Sequence, residues 1–466
     1  MSLYQATFKE KPSMPGLDDT IFALATPPGR SAIAVIRISG GSAHRAAAAF
    51  GASAPAPGQF RLARLKDGDG QTVDEALLLA MAGPRSSTGE DVLEIHCHGS
   101  SAVVQGLLQQ LAALDGFRPA EAGEFTHRMF ANGRIDLLGV EALADLIDSE
   151  TDLQRQQAWA QMDGALRGPA TEWREKLIAL AARLETLIDF ADEDLPPDVA
   201  ADWGDRAQAL ATEMQAVLND GQFGERVRNG VRVALLGPVN AGKSTLLNHL
   251  AGREAAIVSD TAGTTRDVVT ATIDLGGVPV MLLDTAGIRE TGDSIEAEGV
   301  RRARQAAQDA EAALVVVDGS RPGWREEVAN LQLLVPASSQ IIVTKSDLGI
   351  AEMGQADDWP DGALTVTLQG DGADAARHAV LDALYKLIVP ANQADRASII
   401  SRLRHRHAIK AAVDGVMAAC LHDLHTTPEL AAEDLRYAAD SLGRMTGVID
   451  VEDLLDSIFA SFCIGK

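Results

Sequence analysis

The residues Gly237-Pro238-Val239-Asn240-Ala241-Gly242-Lys243-Ser244 lie between an apolar run, Val231 to Leu236, and a helical one, Thr245 to Leu250. Strand, glycine-bearing turn and helix in that order constrain this part of the chain to a phosphate-binding loop. The two glycines let backbone N–H groups turn inward around phosphate oxygens, Lys243 reaches the β and γ phosphates, and the Ser244 hydroxyl suits Mg2+. Such a pattern recurs by chance, so its partners decide. Asp284-Thr285-Ala286-Gly287 closes a second apolar run, Val278 to Leu283, and delivers a carboxylate beside the metal and a glycine amide near the γ-phosphate. Thr344-Lys345-Ser346-Asp347 follows Ile341 to Val343, and Asp347 can accept from both N1–H and the 2-amino group of guanine, donors that adenine does not offer. Three pieces in this order point to GTP rather than ATP. Thr344 stands where the guanine signature usually carries Asn, which removes an amide brace and points to modest affinity.

A chain of 466 residues exceeds what one core serves and divides into two to four domains. Its three cysteines, Cys97, Cys420 and Cys463, are few and widely spaced, as in a reducing cytosol. The start of the chain, through Lys9, Glu10 and Pro12, lacks the apolar core of a signal peptide. No run approaches the roughly 18 apolar residues of a membrane span, so the expectation is a soluble cytoplasmic protein. A net charge of −25 opposes broad binding to a polyanion, and any RNA contact must be focal. Arg301, Arg302 and Arg304, or Arg402, Arg404, His405, Arg406 and His407, are candidates for such a contact or else solvated helix faces.

From about Asp19 to Arg134, short β-rich runs (Ser31 to Ile38, Asp91 to Cys97) and one helix near Val103 to Leu114 read as a compact α+β domain. Leu137 to Leu187 is helical text in which Trp173, Leu177, Leu180, Leu184 and Leu187 mark one apolar face. Helical text resumes after about Ala397, where Ile409, Val413, Val416, Cys420 and Leu424 share a face and Cys420 reads as a buried small hydrophobe. Between the two lie strands at Val231 to Leu236, Thr270 to Leu275, Val278 to Leu283, Ala312 to Val317, Gln340 to Val343 and Leu364 to Leu368, the alternation of a mostly parallel sheet wrapped by helices. The fold class is therefore multidomain, α+β and α/β, with a nucleotide domain inserted into a helical one whose two stretches pack together.

Small GTPases carry Gln after the glycine of the second motif, to orient the attacking water, and use an Arg to offset charge on the transferring phosphoryl group. Here that position is Ile288, so another water-holding group and another cation are needed. Ser259-Asp260-Thr261-Ala262-Gly263-Thr264-Thr265-Arg266-Asp267 reads as a first switch loop: Thr265 suits Mg2+, and neighbouring carbonyls with Asn240 can cage a K+ that bridges the phosphates. Glu290, Asp293, Glu296 and Glu298 are candidates for the water, or solvated loop charges. In the first domain Glu94, His96 and His98 share one face of a strand whose other face is Leu93, Ile95 and Cys97. That face is a metal site or a polar, ligand- or solvent-facing surface. Cys463 sits four from the end, but Gly465 and Lys466 do not suit prenylation, which leaves a mobile reactive thiol or an inert tail.

Phe462-Cys463-Ile464-Gly465-Lys466, with Asn240, the stretch Asp260 to Asp267, Gly89-Glu90-Asp91-Val92-Leu93-Glu94 and Ala25-Thr26-Pro27-Pro28-Gly29-Arg30, resembles the MnmE/TrmE family of tRNA modification GTPases from about Asp19 to Lys466. The resemblance implies an N-terminal tetrahydrofolate-binding-like α+β domain over 1–134. It also implies a discontinuous all-α domain over 135–228 and 393–466, and an inserted Ras-like P-loop GTPase domain over 229–392. It implies a homodimer joined through the N-terminal domains, a heterotetramer with a flavin-dependent MnmG partner, and tRNA as substrate. The pair would place an aminomethyl or carboxymethylaminomethyl group on carbon 5 of the wobble uridine, with a one-carbon unit from 5-formyl- or 5,10-methylene-tetrahydrofolate.

Residue by residue, the resemblance assigns Arg37, Glu94, Arg134 and Lys466 to folate. Nucleotide contacts fall to Asn240, Ala241, Gly242, Lys243, Ser244, Thr245, Ser259 to Thr265, Asp284 to Gly287, Lys345 and Asp347. Asn240, Ser259, Thr261 and Thr264 would hold K+, and Ser244 and Thr265 Mg2+. Glu296 would orient the water beside Arg289, and Cys463 would act in the modification chemistry. The chain departs from the family at Thr344, at Thr367-Leu368-Gln369 where Ser-Ala-Lys or similar is expected, at Ser87 where an aromatic is frequent, and at Arg134 in place of Lys, which keeps the charge but not its shape. The competing class is a ribosome-associated or signalling switch GTPase without modification chemistry, which would not need the N-terminal domain or the terminal Cys-Ile-Gly-Lys.

Overall fold

The computed structural model describes residues 18–189, 202–252, 269–284, 310–333, 335, 338–351, 359–360, 362–390, 398–424, 426–449, 455, 458–459, 462 and 465. The chain divides into two compact units, residues 1–144 with 446–466, and residues 145–445.

In the first unit, β1 (Thr20–Leu24), β2 (Ser31–Ser39), β3 (Phe60–Lys66), β4 (Thr72–Met81), β5 (Val92–Gly99) and β6 (Phe117–Pro119) form one sheet in the order β3-β4-β5-β2-β1-β6. The period-two pattern of β5 works as expected: Leu93, Ile95 and Cys97 are buried, and Glu94, His96 and His98 take the opposite face. The buried side joins Ile36 and Ile38 of β2, the short α1 (Ala46–Ala49), and Leu107 and Leu111 of α2 (Ser101–Ala112) in one core. On the other side Phe125 of α3 (Glu124–Ala131) closes over Ile21, Ala23 and Ala120. The end of the chain belongs to this unit, because Leu455, Phe459 and Phe462 pack with Leu137 and Val140 of α4 (Leu137–Ile147). Gly123, in the left-handed region at φ 71°, shows how tightly, since a Cβ there would lie 2.6 Å from the Phe459 carbonyl oxygen.

The second unit combines helices with a sheet of order β12-β11-β10-β7-β9-β8. Its strands are β7 (Val231–Leu236), β8 (Val269–Leu275), β9 (Val278–Asp284), β10 (Ala312–Asp318), β11 (Ser339–Thr344) and β12 (Leu364–Thr365). All neighbours run parallel except the β8–β9 hairpin. Every residue of β10 is buried, as expected for an inner parallel strand covered on both faces. β12 is shorter than the run Leu364 to Leu368 suggests: the strand is Leu364 and Thr365 alone, after which Val366 N still donates to the Val343 carbonyl at 2.8 Å and Val366 and Leu368 join the core.

α5 (Asp152–Met162), α6 (Arg167–Asp189), α7 (Trp203–Asn229), α8 (Lys243–Leu250), α9 (Trp324–Gln332), α10 (Ala373–Ile388), α11 (Leu403–Ala419) and α12 (Pro428–Thr446) follow in chain order. The α6 stripe is core at Trp173, Leu177, Leu180 and Leu184 and half-buried at Leu187. In α11 Ile409, Val413 and Val416 are buried, whereas Cys420 is only half-buried at the C-cap and Leu424 falls beyond the helix. The early and late helical stretches meet: Gln157 of α5 donates to the carbonyls of Gly224 in α7 at 3.2 Å and of Ser398 at 3.1 Å. α5 also reaches the sheet. Its N-cap Thr151 forms a capping box with Gln154, and the Thr151 hydroxyl donates to the Gly277 carbonyl in the β8–β9 turn at 2.6 Å. No described helix is long and apolar enough to cross a membrane.

Candidate nucleotide-binding site

The loop after β7 sits at the carboxyl end of the parallel strands, where open α/β sheets bind ligands. Gly237 passes so near β10 that a Cβ would lie 2.0 Å from the Val316 carbonyl oxygen, and Gly242, at φ 97°, turns the chain into α8. Asn240 is exposed at the tip of the loop with φ 66°, a left-handed conformation that few residue types other than Gly adopt and Asn tolerates best. Lys243, only 5 % exposed, folds over the loop and donates from Nζ to the carbonyls of Gly237 at 2.8 Å and Pro238 at 2.9 Å. Burial depresses its pKa, against the opposing pull of the Asp284 charge. An ammonium stripped of water and served by two carbonyls is matched to a polyanion. The Ser244 hydroxyl donates to Asp284 Oδ2 at 2.7 Å, so hydroxyl and carboxylate stand together as a divalent cation would require. Thr245 follows, exposed, in the first turn of α8.

The guanine-loop residues come to the same edge. Thr344 Oγ1 lies 2.7 Å from the Ala241 carbonyl of the phosphate loop and 3.0 Å from that of Val317. This corrects the expectation that Thr344 leaves the loop without a side-chain brace: the hydroxyl reaches the loop, but it has one proton to give where an amide has two. Lys345 is held at φ 58°, with Nζ 2.6 Å from Asp318 Oδ2, and Asp347 is exposed on the 3-10 turn Ser346–Leu348. The departing segment also arrives, since Ser346 Oγ is 2.6 Å from Thr367 Oγ1 and Leu368 packs beside Gly242. Asp318 escaped the sequence reading. The signal for it was an acidic residue closing a wholly apolar strand, as Asp284 does. Burial pushes the Asp318 carboxyl up, but hydrogen bonds from Lys345, then from the Ser320 hydroxyl and amide, outweigh it and hold its pKa below the usual range.

Ser259, Asp260, Thr261, Ala262, Gly263, Thr264 and Thr265, then Thr285, Ala286, Gly287, Arg289 and Glu296, lie outside the described residues. So do Glu290, Asp293, Glu298, Arg301, Arg302, Arg304, Cys463 and Lys466. In the first unit Arg37 and Glu94, cross-strand partners on β2 and β5, are joined by Arg37 Nε donating to Glu94 Oε1 at 2.9 Å, with the guanidinium 5.9 Å from the Phe125 ring. Arg134 sits instead against Gly89, whose added Cβ would be 3.2 Å from its Cγ. His96 Nε2 meets Glu94 Oε2 at 3.1 Å and His98 Nδ1 meets Asp74 Oδ1 at 2.8 Å, so both histidines are engaged by carboxylates of their own sheet. Among the described residues no group of three His, Cys, Asp or Glu could hold a metal ion.

In the second basic cluster His407 is exposed, but the other members are neither a solvated face nor a free patch. Arg402 pairs with Asp145 at 2.6 Å, Arg406 with Glu225 at 3.2 Å, Arg404 donates to the Met445 carbonyl at 2.9 Å, and His405 is buried. These charges knit helices of the second unit to one another.

Residues 20–134 match the family model "GTP-binding protein TrmE N-terminus", and residues 137–463 match "MnmE helical domain". The "tRNA modification GTPase MnmE" of Parvibaculum lavamentivorans is 47 % identical over 452 residues, 96 % of this chain and 100 % of that protein. That of Phenylobacterium zucineum is 46 % identical over 457 residues, 97 % of this chain and 100 % of that protein. The crystal structure of a point variant of Aquifex aeolicus Era bound to GDP and aluminium fluoride is 25 % identical, covers 40 % of this chain and 67 % of that one, and has a TM-score of 0.25.

Proposed function

The chain belongs to the MnmE (TrmE) family of tRNA modification GTPases, and on that premise we propose that its GTP hydrolysis is K+-dependent and serves wobble-uridine modification. Together with a flavin-dependent MnmG partner it places an aminomethyl or carboxymethylaminomethyl group on carbon 5 of that uridine in certain tRNAs. The observation that carries the nucleotide reading is the corner where the Ser244 hydroxyl meets Asp284 at 2.7 Å beside the buried Lys243 ammonium. That corner matches a triphosphate with Mg2+, held through Ser244 and Thr265. The exposed, left-handed Asn240 supports a K+ that it would hold together with Ser259, Thr261 and Thr264, and whose charge would stand in for an arginine finger. Glu296 and Arg289 are assigned to the water and the second switch.

For the one-carbon chemistry, the Arg37–Glu94 pair beside Phe125 supports a folate contact, with Arg134 and Lys466 as its further residues, and the Cys463 thiol acts in the modification chemistry. Gly465 packs against the Leu24 carbonyl, within the unit that carries Arg37 and Glu94. A homodimer through the N-terminal unit is supported by its edge strand, where Phe60 and Leu62 are 72 % and 64 % exposed.

GTP hydrolysis measured in K+ and in Na+ at equal ionic strength tests the cation; equal rates would refute it. Mass analysis of tRNA nucleosides from cells lacking the protein tests the chemistry. Unchanged wobble uridines would favour a switch GTPase instead.

A further inference from the structure

Asp318 is 3 % exposed, yet nothing in the phosphate or metal chemistry uses it. It closes β10 and stands opposite Thr344 in the parallel ladder with β11, so its position is fixed by sheet pairing. Its two oxygens gather donors from both sides: Lys345 Nζ at 2.6 Å and Arg321 Nε at 3.3 Å on Oδ2, the Ser320 hydroxyl at 2.6 Å and amide at 3.1 Å on Oδ1. The backbone around it is equally committed. Gly319 N donates to the Thr344 carbonyl at 3.1 Å, and the Gly319 carbonyl accepts from Ala351 N at 2.8 Å, beyond the far end of the 3-10 turn that carries Asp347. A Cβ on Gly319 would lie 2.6 Å from Val343 Cγ1, so the approach of the two strand ends leaves no room for a side chain.

Lys345 holds a left-handed backbone with no glycine to excuse it, at φ 58°. That conformation costs about 1 kcal/mol or more and persists only where surroundings impose it. The ammonium-to-carboxylate bond to a nearly buried partner is the contact that does so, since it ties the tip of the strained residue to the rigid end of the adjacent strand.

We propose that Asp318 is a positioning residue for the guanine base, which it aligns through Lys345 so that the Asp347 carboxylate meets the N1–H and 2-amino donors. This rests on the base-site reading of Asp347. Thr344, one residue earlier, carries the same alignment to the phosphate loop through Ala241, so base and phosphate subsites are fixed to one framework.

The test measures dissociation constants of the full-length protein for GDP and for IDP, which lacks the 2-amino group, in wild type, Asp318→Asn, Asp318→Glu and Asp347→Asn. Wild type prefers GDP, and Asp347→Asn abolishes that preference. Asp318→Asn weakens GDP about 10-fold, the loss of one charge-assisted contact, and weakens IDP much less, so the GDP:IDP ratio collapses. Asp318→Glu, which keeps the charge, restores most of it. A merely structural role would weaken both nucleotides by the same factor, and that outcome, or no loss at all, overturns the proposal. A wild-type ratio near one that Asp347→Asn leaves unmoved overturns the base-site reading and this one with it. Should Asp318→Asn fail to fold by circular dichroism, Ser320→Ala removes one donor to the carboxylate and must lower the GDP:IDP ratio by a smaller factor; an unchanged ratio refutes the assignment.

Discussion

Replacing Thr344 by Val removes one hydroxyl and almost nothing else. The side chain is fully buried, Val has its shape, and the lost atom is the one that lies 2.7 Å from the Ala241 carbonyl and 3.0 Å from that of Val317. Of these two acceptors Val317 O lies in a strand and Ala241 O in the phosphate loop, so the loop is what loosens. Leaving a buried carbonyl without its donor costs about 1–3 kcal/mol. Where the loop can shift to recover water, the lower end applies, and about 1.4 kcal/mol corresponds to a tenfold change in a binding constant. Thr344→Val is therefore expected to weaken GDP about tenfold, chiefly through faster release, since loop order holds bound phosphate more than it steers its arrival. Thr344→Ser keeps the donor and should stay within about threefold of wild type by the same arithmetic. Stopped-flow release of a fluorescent GDP analogue gives both numbers. If Thr344→Val releases nucleotide no faster than wild type, the hydroxyl braces nothing and the reasoning fails.

Thr151→Val should remove both the α5 capping box and the bond to Gly277, at a cost of about 1–2 kcal/mol, seen as a lower melting temperature; an unchanged midpoint would show that the tie to the β8–β9 turn is idle. Burial pushes the Glu124 carboxyl up, but hydrogen bonds from Arg118 and the Glu121 amide outweigh it, so its folded pKa lies below 4.5. The unfolded chain then binds the proton more readily, which means this stabilisation is present above about pH 4.5 and fades as pH falls through the lower folded value. Thermal unfolding at pH 5.5 and 3.5 should show a smaller acid loss for Glu124→Gln than for wild type. Phe60→Lys combined with Leu62→Lys places two charges on the exposed edge of the N-terminal sheet and should shift sedimentation toward monomer; an intact dimer would place the interface elsewhere.

How much of this was legible beforehand follows the range of the signal. The phosphate loop, the strands that carry it and the alternating faces of β5 are local patterns, set by glycine freedom and by periods of two and 3.6, and the chain announces them without its neighbours. The α6 stripe was readable for the same reason, whereas in α11 the stripe overran the helix end, which periodicity does not mark. The cluster around Arg402 to His407 was not readable, because whether a charge is solvated depends on the carboxylates that other helices bring to it, and Asp145 and Glu225 come from far along the chain. Thr344 and Asp318 make the same point within the site. Sequence determined that a nucleotide loop, a guanine motif and the family's terminal residues are present. Only the parallel pairing of β10 with β11 and of β7 with β10 decided that a threonine hydroxyl reaches the phosphate loop and that a strand-ending aspartate takes hold of Lys345, since hydrogen bonds act over about 3 Å and the residues that make them are separated by tens to a hundred positions along the chain.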